Sequence, residues 1–244
     1  GLVMDYSQIE GLEEAMKTDV VCSNYVDPRK TFEVLKNFKG GNALFTQPFT
    51  PIKCGGAPQK TAYLSADYLR KVGLKSKTNI IYATPGTVIF GIKPIRETLE
   101  KVLVRHDVNF KPFYVPIKVD SVKKTVTFRY RKEDGTVAAD DKINEKEVGE
   151  KLFEIPYDML NIAPPQAAPD FIRNSELAND GGWLDVHKGT LQHVKYPNIF
   201  GIGDAAGLPT AKTGAAIRKQ VPVVVENLIR LMSAQDLSSK EYDG

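Results

Sequence analysis

The chain has 244 residues, with 33 basic and 30 acidic side chains, 19 glycines, 15 prolines and two cysteines. That length suits one large domain or two small ones at ~100–200 residues each, and the 42% apolar and 26% charged fractions exclude a disordered or collagen-like chain. A net charge of +3 without a nucleic-acid-reading motif gives no nucleic-acid partner, and two cysteines exclude a disulfide scaffold.

No apolar run reaches the ~18–20 residues of a spanning helix, and Gly1-Leu2-Val3 opens without a signal-peptide pattern. By composition the chain is either a complete small protein or a piece of a larger one. Asp27-Pro28 reads as a helix start, with Phe32, Leu35 and Phe38 following before Gly40-Gly41 ends the helix. Asn42–Thr46 is a short apolar run between glycine and proline and is expected to be a buried strand. A loop rich in proline and glycine leads to a helix from Gln59 to Lys71, with Tyr63, Ala66, Tyr68 and Leu69 on its apolar side.

The alternation repeats. Asn79–Ala83 is expected to be a second buried strand, and Pro94–His106 a helix with Ile95, Leu99, Val102 and Leu103 on one face. Strand, loop and helix in alternation predict an α/β fold with a parallel sheet. From Phe110 to Tyr130 the period becomes two, which predicts an antiparallel excursion whose basic residues (Lys118, Lys123, Lys124, Arg129, Arg131, Lys132) form a solvated face. Glu133–Glu150 reads as a polar loop or hairpin end with little core, and 152–156 and 159–163 as a return to the sheet. Pro164-Pro165, Pro169 and Gly181-Gly182 mark a change of domain. Trp183–Val186 then resembles a hairpin arm, Asn198–Asp204 a strand entering a tight turn, and Thr213–Met232 a helix carrying Val221, Val224, Val225, Leu228 and Leu231.

Gly201-x-Gly203-x-x-Ala206 matches the dinucleotide fingerprint literally. Only about forty residues follow, too few for the second strand and acidic residue that complete a βαβ unit. A better reading gives Asp204 a cofactor hydroxyl to accept from, with the glycines letting the backbone approach a ligand and the next helix aiming its N-terminus at a polar ring edge or phosphate. Strand-Gly-x-Gly-Asp in this place is the pattern of a second flavin-contacting segment. The plainer alternative is a structural turn. Lys212, Thr213, Gly214 and Ala215 open the last helix and offer a cation and backbone amides to an anionic reduced flavin or a quinone carbonyl; the alternative is a helix cap.

Cys54 lies in Pro51-Ile52-Lys53-Cys54-Gly55-Gly56-Ala57-Pro58-Gln59, between a strand and a helix. The helix dipole and the flanking Lys53 and Lys60 favour its thiolate; the alternative is a small buried hydrophobe. Where a nicotinamide-binding domain carries Gly-x-Gly-x-x-Gly, this chain has Thr46-Gln47-Pro48-Phe49-Thr50-Pro51, which obstructs a pyrophosphate. Cys22 has no charge partner nearby and reads as inert. His106, His187 and His193 lack ligand spacing, so no metal site is expected.

Pro51-x-Lys53-Cys54-Gly-Gly-Ala-Pro-Gln-Lys60 with Tyr63-Leu64-Ser65, Tyr196–Asp204 and Leu208–Thr213 closely resembles the sulfide:quinone oxidoreductase family, in the subgroup that includes the mitochondrial enzymes. The resemblance implies a Rossmann-like FAD/NAD(P)-binding fold and a monotopic flavoprotein, peripheral to a bacterial cytoplasmic or mitochondrial inner membrane. Such an enzyme oxidises hydrogen sulfide through a cysteine persulfide and flavin adduct, and passes two electrons by way of FAD to a quinone. A sulfane-sulfur acceptor completes the set of partners. Cys54 matches the family's redox cysteine, Gly203-Asp204 the ribityl-binding turn, and Lys212–Ala215 the stretch along the isoalloxazine ring.

The departures define a fragment. The N-terminal glycine fingerprint for the ADP half of FAD is absent, and Ala205 rather than cysteine follows Gly203-Asp204. The resemblance puts the second redox cysteine and the membrane-anchoring helices beyond Gly244. It divides the chain into part of a flavin domain (1–26), a second Rossmann-like domain carrying the redox cysteine (27–165) and a returning flavin-domain segment (166–244). Alone, this chain is expected to bind FAD weakly or not at all and not to turn over. The competing readings are an NAD(P)H-dependent flavoprotein dehydrogenase and a non-catalytic Rossmann-like binding domain.

Overall fold

The computed structural model describes residues 1–238 and 240–244. In chain order its strands are β1 (Val3–Met4), β2 (Val21–Cys22), β3 (Gly41–Thr46), β4 (Thr78–Thr84), β5 (Val108–Pro112), β6 (Tyr114–Asp120), β7 (Thr125–Tyr130), β8 (Lys146–Gly149), β9 (Leu152–Pro156), β10 (Met159–Asn161) and β11 (Gln166–Ala167). The helices are α1 (Leu12–Ala15), α2 (Pro28–Asn37), α3 (Ala57–Lys71), α4 (Lys93–His106), α5 (Asp170–Arg173) and α6 (Gly214–Met232). The chain forms two compact units, one of 5–49 and 56–165, the other of 1–4, 50–55 and 166–244.

In the first of these, a parallel sheet runs in the order β2-β10-β3-β4-β5. The strand period of two splits its residues between two faces. Ala43, Phe45, Ile80, Tyr82 and Met159 pack with Val34 and Leu35 of α2 and Ala62, Ala66 and Leu69 of α3. Leu44, Ile81, Ala83 and Leu160 share a core with Val126, Phe128, Phe153 and Ile155. The latter belong to an antiparallel sheet ordered β6-β7-β9-β8. Each fully buried Leu, Ile or Phe contributes about 1.5–3 kcal/mol, so the two apolar faces explain why the excursion folds onto the parallel sheet. Residues 5–26 belong here as well, because β2 pairs with β10 and Leu12 and Ala15 enter the same core.

Local signals account for the helices. Asp27 caps α2 by accepting the Arg29 and Lys30 amides, and Pro28 occupies the first turn. α4 departs from its expected face, since Ile95 is exposed and Leu103 is its one buried residue. The segment 152–156 pairs with β7 and β8 rather than returning to the parallel sheet; only β10 does that. The stretch 133–150 holds more core than its polarity suggests: it contains β8, buried Ile143 and buried Glu145.

The other unit is built around short contacts. β1 pairs with β11. Ala168, Ile172, Trp183, Leu184, Val186 and Ala206 form one small core, and Leu191, Val223 and Tyr242 another. Trp183–Val186 and 198–204 form no extended ladder; isolated bridges join Leu184 to Ala178 and Ala206, Val186 to His193, and Gln192 to Phe200. α6 buries Gln220, Val223 and Asn227, while Val225, Ile229 and Met232 are exposed. No helix among the described residues is long and apolar enough to cross a membrane.

Candidate functional site

Cys54 and Lys212 are separated by 158 residues in sequence, yet the Cys54 amide donates to the Lys212 carbonyl at 2.8 Å. Lys53 and Lys212 form a parallel bridge at the same place. The segment is stitched on its other side too. The Lys53 amide donates to Gln166 Oε1 at 2.8 Å, and the Gln166 amide donates to Thr50 Oγ1 at 2.9 Å. Cys54 has φ of +51°, in the left-handed region. For a residue with a Cβ that conformation costs about 1–2 kcal/mol, so the main-chain bonds around it must hold it there.

Cys54 is exposed, whereas Cys22 is buried. Cys22 fulfils the inert reading: its thiol donates to the Leu160 carbonyl, and burial pushes its pKa up to about 11. An exposed thiol on a constrained turn is placed for chemistry in a way that a buried one is not. α3 starts three residues after Cys54, and the Lys60 side chain folds back over Gly56 at that helix start.

Lys212 is 7% exposed. Its ammonium donates to the Ala206 carbonyl at 2.7 Å and lies 3.9 Å from the centroid of the Trp183 ring. Burial lowers its pKa to about 8, with the Asp204 charge opposing the shift. Pro51, Trp183, Gly207, Leu208, Pro209 and Lys212 line a depression of about 400 Å³. Trp183 is legible in sequence only as part of a hairpin arm; no local signal announces a ring under a lysine 29 positions away.

The Gly201-x-Gly203 pair has reasons inside the protein. A Cβ at Gly201 would meet Leu184 Cδ2 at 2.2 Å, so any side chain there would force the Leu184 side chain out of its place in the small core. Gly203 has φ of +72°, and its amide donates to Gln220 Oε1 at 2.9 Å. Asp204 lies in the turn Gly203–Ala205, a short 3₁₀ segment rather than the end of a strand ladder. Thr213 caps α6 by accepting the Ala216 amide at 3.1 Å, and Gly214 and Ala215 are exposed in its first turn. No heavy atom lies within 4 Å of a Cβ built on Gly214, so a ligand can approach the backbone there.

These groups suit the flavin half of FAD. Exposed first-turn amides would meet an electron-rich ring edge, and a carboxylate in a tight turn would accept from a hydroxyl. The sequence holds no glycine fingerprint for the ADP half. His187 and His193 hold turns: Nδ1 of His187 accepts the Gly189 and Thr190 amides, and Nδ1 of His193 those of Lys195 and Tyr196. No metal-ligating cluster is present among the described residues.

No family model matches the chain. It is similar over its whole length to the mitochondrial sulfide:quinone oxidoreductases of Mus musculus (41% identity over 248 residues) and Dictyostelium discoideum (40% over 250). The chain spans about half the length of these curated relatives, 51% of each. Among solved structures, a chain of the Tetrahymena thermophila mitochondrial ATP synthase matches with a TM-score of 0.74 at 24% identity, covering 100% of this chain and 57% of that one. The Aquifex aeolicus sulfide:quinone oxidoreductase matches with 0.74 at 16%, covering 96% and 53%. The thioredoxin reductase of T. acidophilum gives 0.56 at 14%, covering 96% and 63%. At these identities the structural matches show the fold, a Rossmann-like α/β architecture. The resemblance carried by the Cys54 and Gly203-Asp204 motifs thus extends along the whole sequence.

Proposed function

We propose that this chain corresponds to about half of a FAD-dependent sulfide:quinone oxidoreductase, and that Cys54 carries its sulfur chemistry. One observation bears most of the reading. In a chain 41% identical throughout to a mitochondrial enzyme of that name, the exposed Cys54 is bonded through its main chain to Lys212, just before the N-terminus of α6. Gly203, Asp204, Lys212, Thr213, Gly214 and Ala215 are the flavin-side residues.

In this reading hydrosulfide bonds to the sulfur of Cys54. The hydrosulfide gives up one proton and two electrons, and the product is a persulfide anion on Cys54. A quinone takes the electron pair and two protons and becomes a quinol. When bound, the flavin supplies the two-electron relay between sulfur and quinone. The chain's own residues do the rest. The left-handed turn presents the Cys54 sulfur to solvent, the α6 amides and the Lys212 segment favour negative charge, and Asp204 orients a hydroxyl. The sulfane sulfur then passes to a nucleophilic acceptor. The setting is peripheral attachment to the mitochondrial inner membrane.

The test is quinone reduction by the full-length protein, with sulfide and NADH supplied as separate donors. Sulfide-driven reduction is expected. Reduction driven by NADH alone overturns the reading in favour of a pyridine-nucleotide dehydrogenase.

A further inference from the structure

Trp183 is the one tryptophan of the sequence, and nothing in the proposed chemistry uses it. Its place is fixed by a tight turn. Its amide donates to Asn179 Oδ1 at 3.1 Å, and its carbonyl accepts the Asn179 amide at 2.8 Å. The ring then lies under the Lys212 ammonium, 3.9 Å from centroid to nitrogen. An ammonium is strongly hydrated, and taking it out of water is costly unless the protein supplies replacement partners. Lys212 has two such partners, the negative face of the Trp183 ring and the Ala206 carbonyl. Asp204 is the charged group that acts on it across the site.

We infer that Trp183 is a positioning residue for Cys54: by holding the Lys212 ammonium it fixes the Lys212 carbonyl that keeps Cys54 in its left-handed turn. The chain of contacts is continuous, from ring to ammonium, along the lysine to its main chain, and across a 2.8 Å hydrogen bond to the Cys54 amide. Without the ring, the ammonium gains more by reaching water than by staying buried. The main chain at Lys212 follows it, and Cys54 relaxes from a conformation that is unfavourable by itself. The inference rests on the reading of Cys54 as the sulfur-carrying thiol, but its geometry does not.

The experiment is alkylation of Cys54 by iodoacetamide in the full-length protein without sulfide, followed on the Cys54 peptide by mass spectrometry. Trp183→Leu removes the π-face and keeps an apolar side chain, and Lys212→Met removes the cation and leaves the ring. Each is expected to lower the alkylation rate about fivefold or more, the factor carried by a desolvated cation–π contact, because Cys54 then leaves the turn that presents its sulfur to solvent. Trp183→Phe restores a π-face and is expected to stay near the wild-type rate. If Trp183→Leu does not fold, Lys212→Met against wild type decides alone. An unchanged rate in Lys212→Met, or equal rates in the Leu and Phe variants, overturns the inference. If this order of rates holds but the wild type shows no sulfide-driven quinone reduction, the functional reading falls and the positioning role stands.

Discussion

Lys212 shows what a single residue contributes that sequence does not reveal. Its place before α6 was readable, but its burial under Trp183 depends on a turn at Asn179 and on the carbonyl of Ala206. Burial lowers its pKa to about 8 from 10.5. Between those values the unfolded chain binds more protons at this site than the folded one, so stability rises with pH across the window. Wild type is therefore expected to gain stability relative to Lys212→Met as pH rises from 8 to 10.5. Urea unfolding of the pair at neutral pH and at points through the window checks this, and a flat difference contradicts the burial.

A second residue-scale feature lies where sequence predicted little core. Lys111 Nζ meets Glu145 Oε2 at 2.7 Å, with the Glu145 side chain wholly shielded and Asp140 3.7 Å from the same ammonium. The Asp140 amide also donates to Glu145, at 2.8 Å. The partners are 34 positions apart in a stretch of high charge, so no local pattern marks them as a pair. Removing one leaves the other buried without its counter-charge, at a cost of about 3–5 kcal/mol. Lys111→Met should lose that much in urea unfolding, and adding Glu145→Leu should recover most of it.

At the scale of elements, strands and helices were legible where the local period and the burial agree. β3, β4, α2 and α3 are such cases: apolar runs with glycine or proline at their ends, and a capping Asp27. α6 is the opposite. Its valines and leucines suggested an apolar inner face, yet the helix turns Gln220 and Asn227 inward because each has polar work to do there. Asn227 donates to the Thr190 carbonyl at 3.1 Å and accepts the Ser238 amide at 2.9 Å, with no exposure. Asn227→Leu strands both groups and is expected to cost about 1–3 kcal/mol for each, measurable as a lower midpoint in thermal unfolding. β9 misled for a related reason. A short alternating run fits either sheet, and only long-range pairing with β7 and β8 decides.

At the scale of the whole molecule, the α/β class and the antiparallel excursion were readable, and so were the two motifs of the site. Their meeting was not. Cys54 and Lys212 come together through the bonds of Thr50, Lys53 and Gln166, a pattern set by tertiary structure alone. The distribution of the proposed flavin-side groups leads to a prediction for the 244-residue chain itself. It offers groups for the ring and ribityl half of FAD but no glycine fingerprint for the ADP half. Purified alone, it should show no stoichiometric flavin absorption spectrum. A one-to-one yellow complex would contradict that division of the cofactor site.

The most direct measurement is sulfide-dependent quinone reduction by the full-length protein and its Cys54→Ser variant, at matched flavin content. Serine keeps the size and the turn but cannot hold sulfane sulfur as a persulfide. The rate is expected to fall by about a thousandfold or more, the scale on which removing a nucleophile acts. A variant that reduces quinone with sulfide as fast as wild type would contradict the assignment of Cys54.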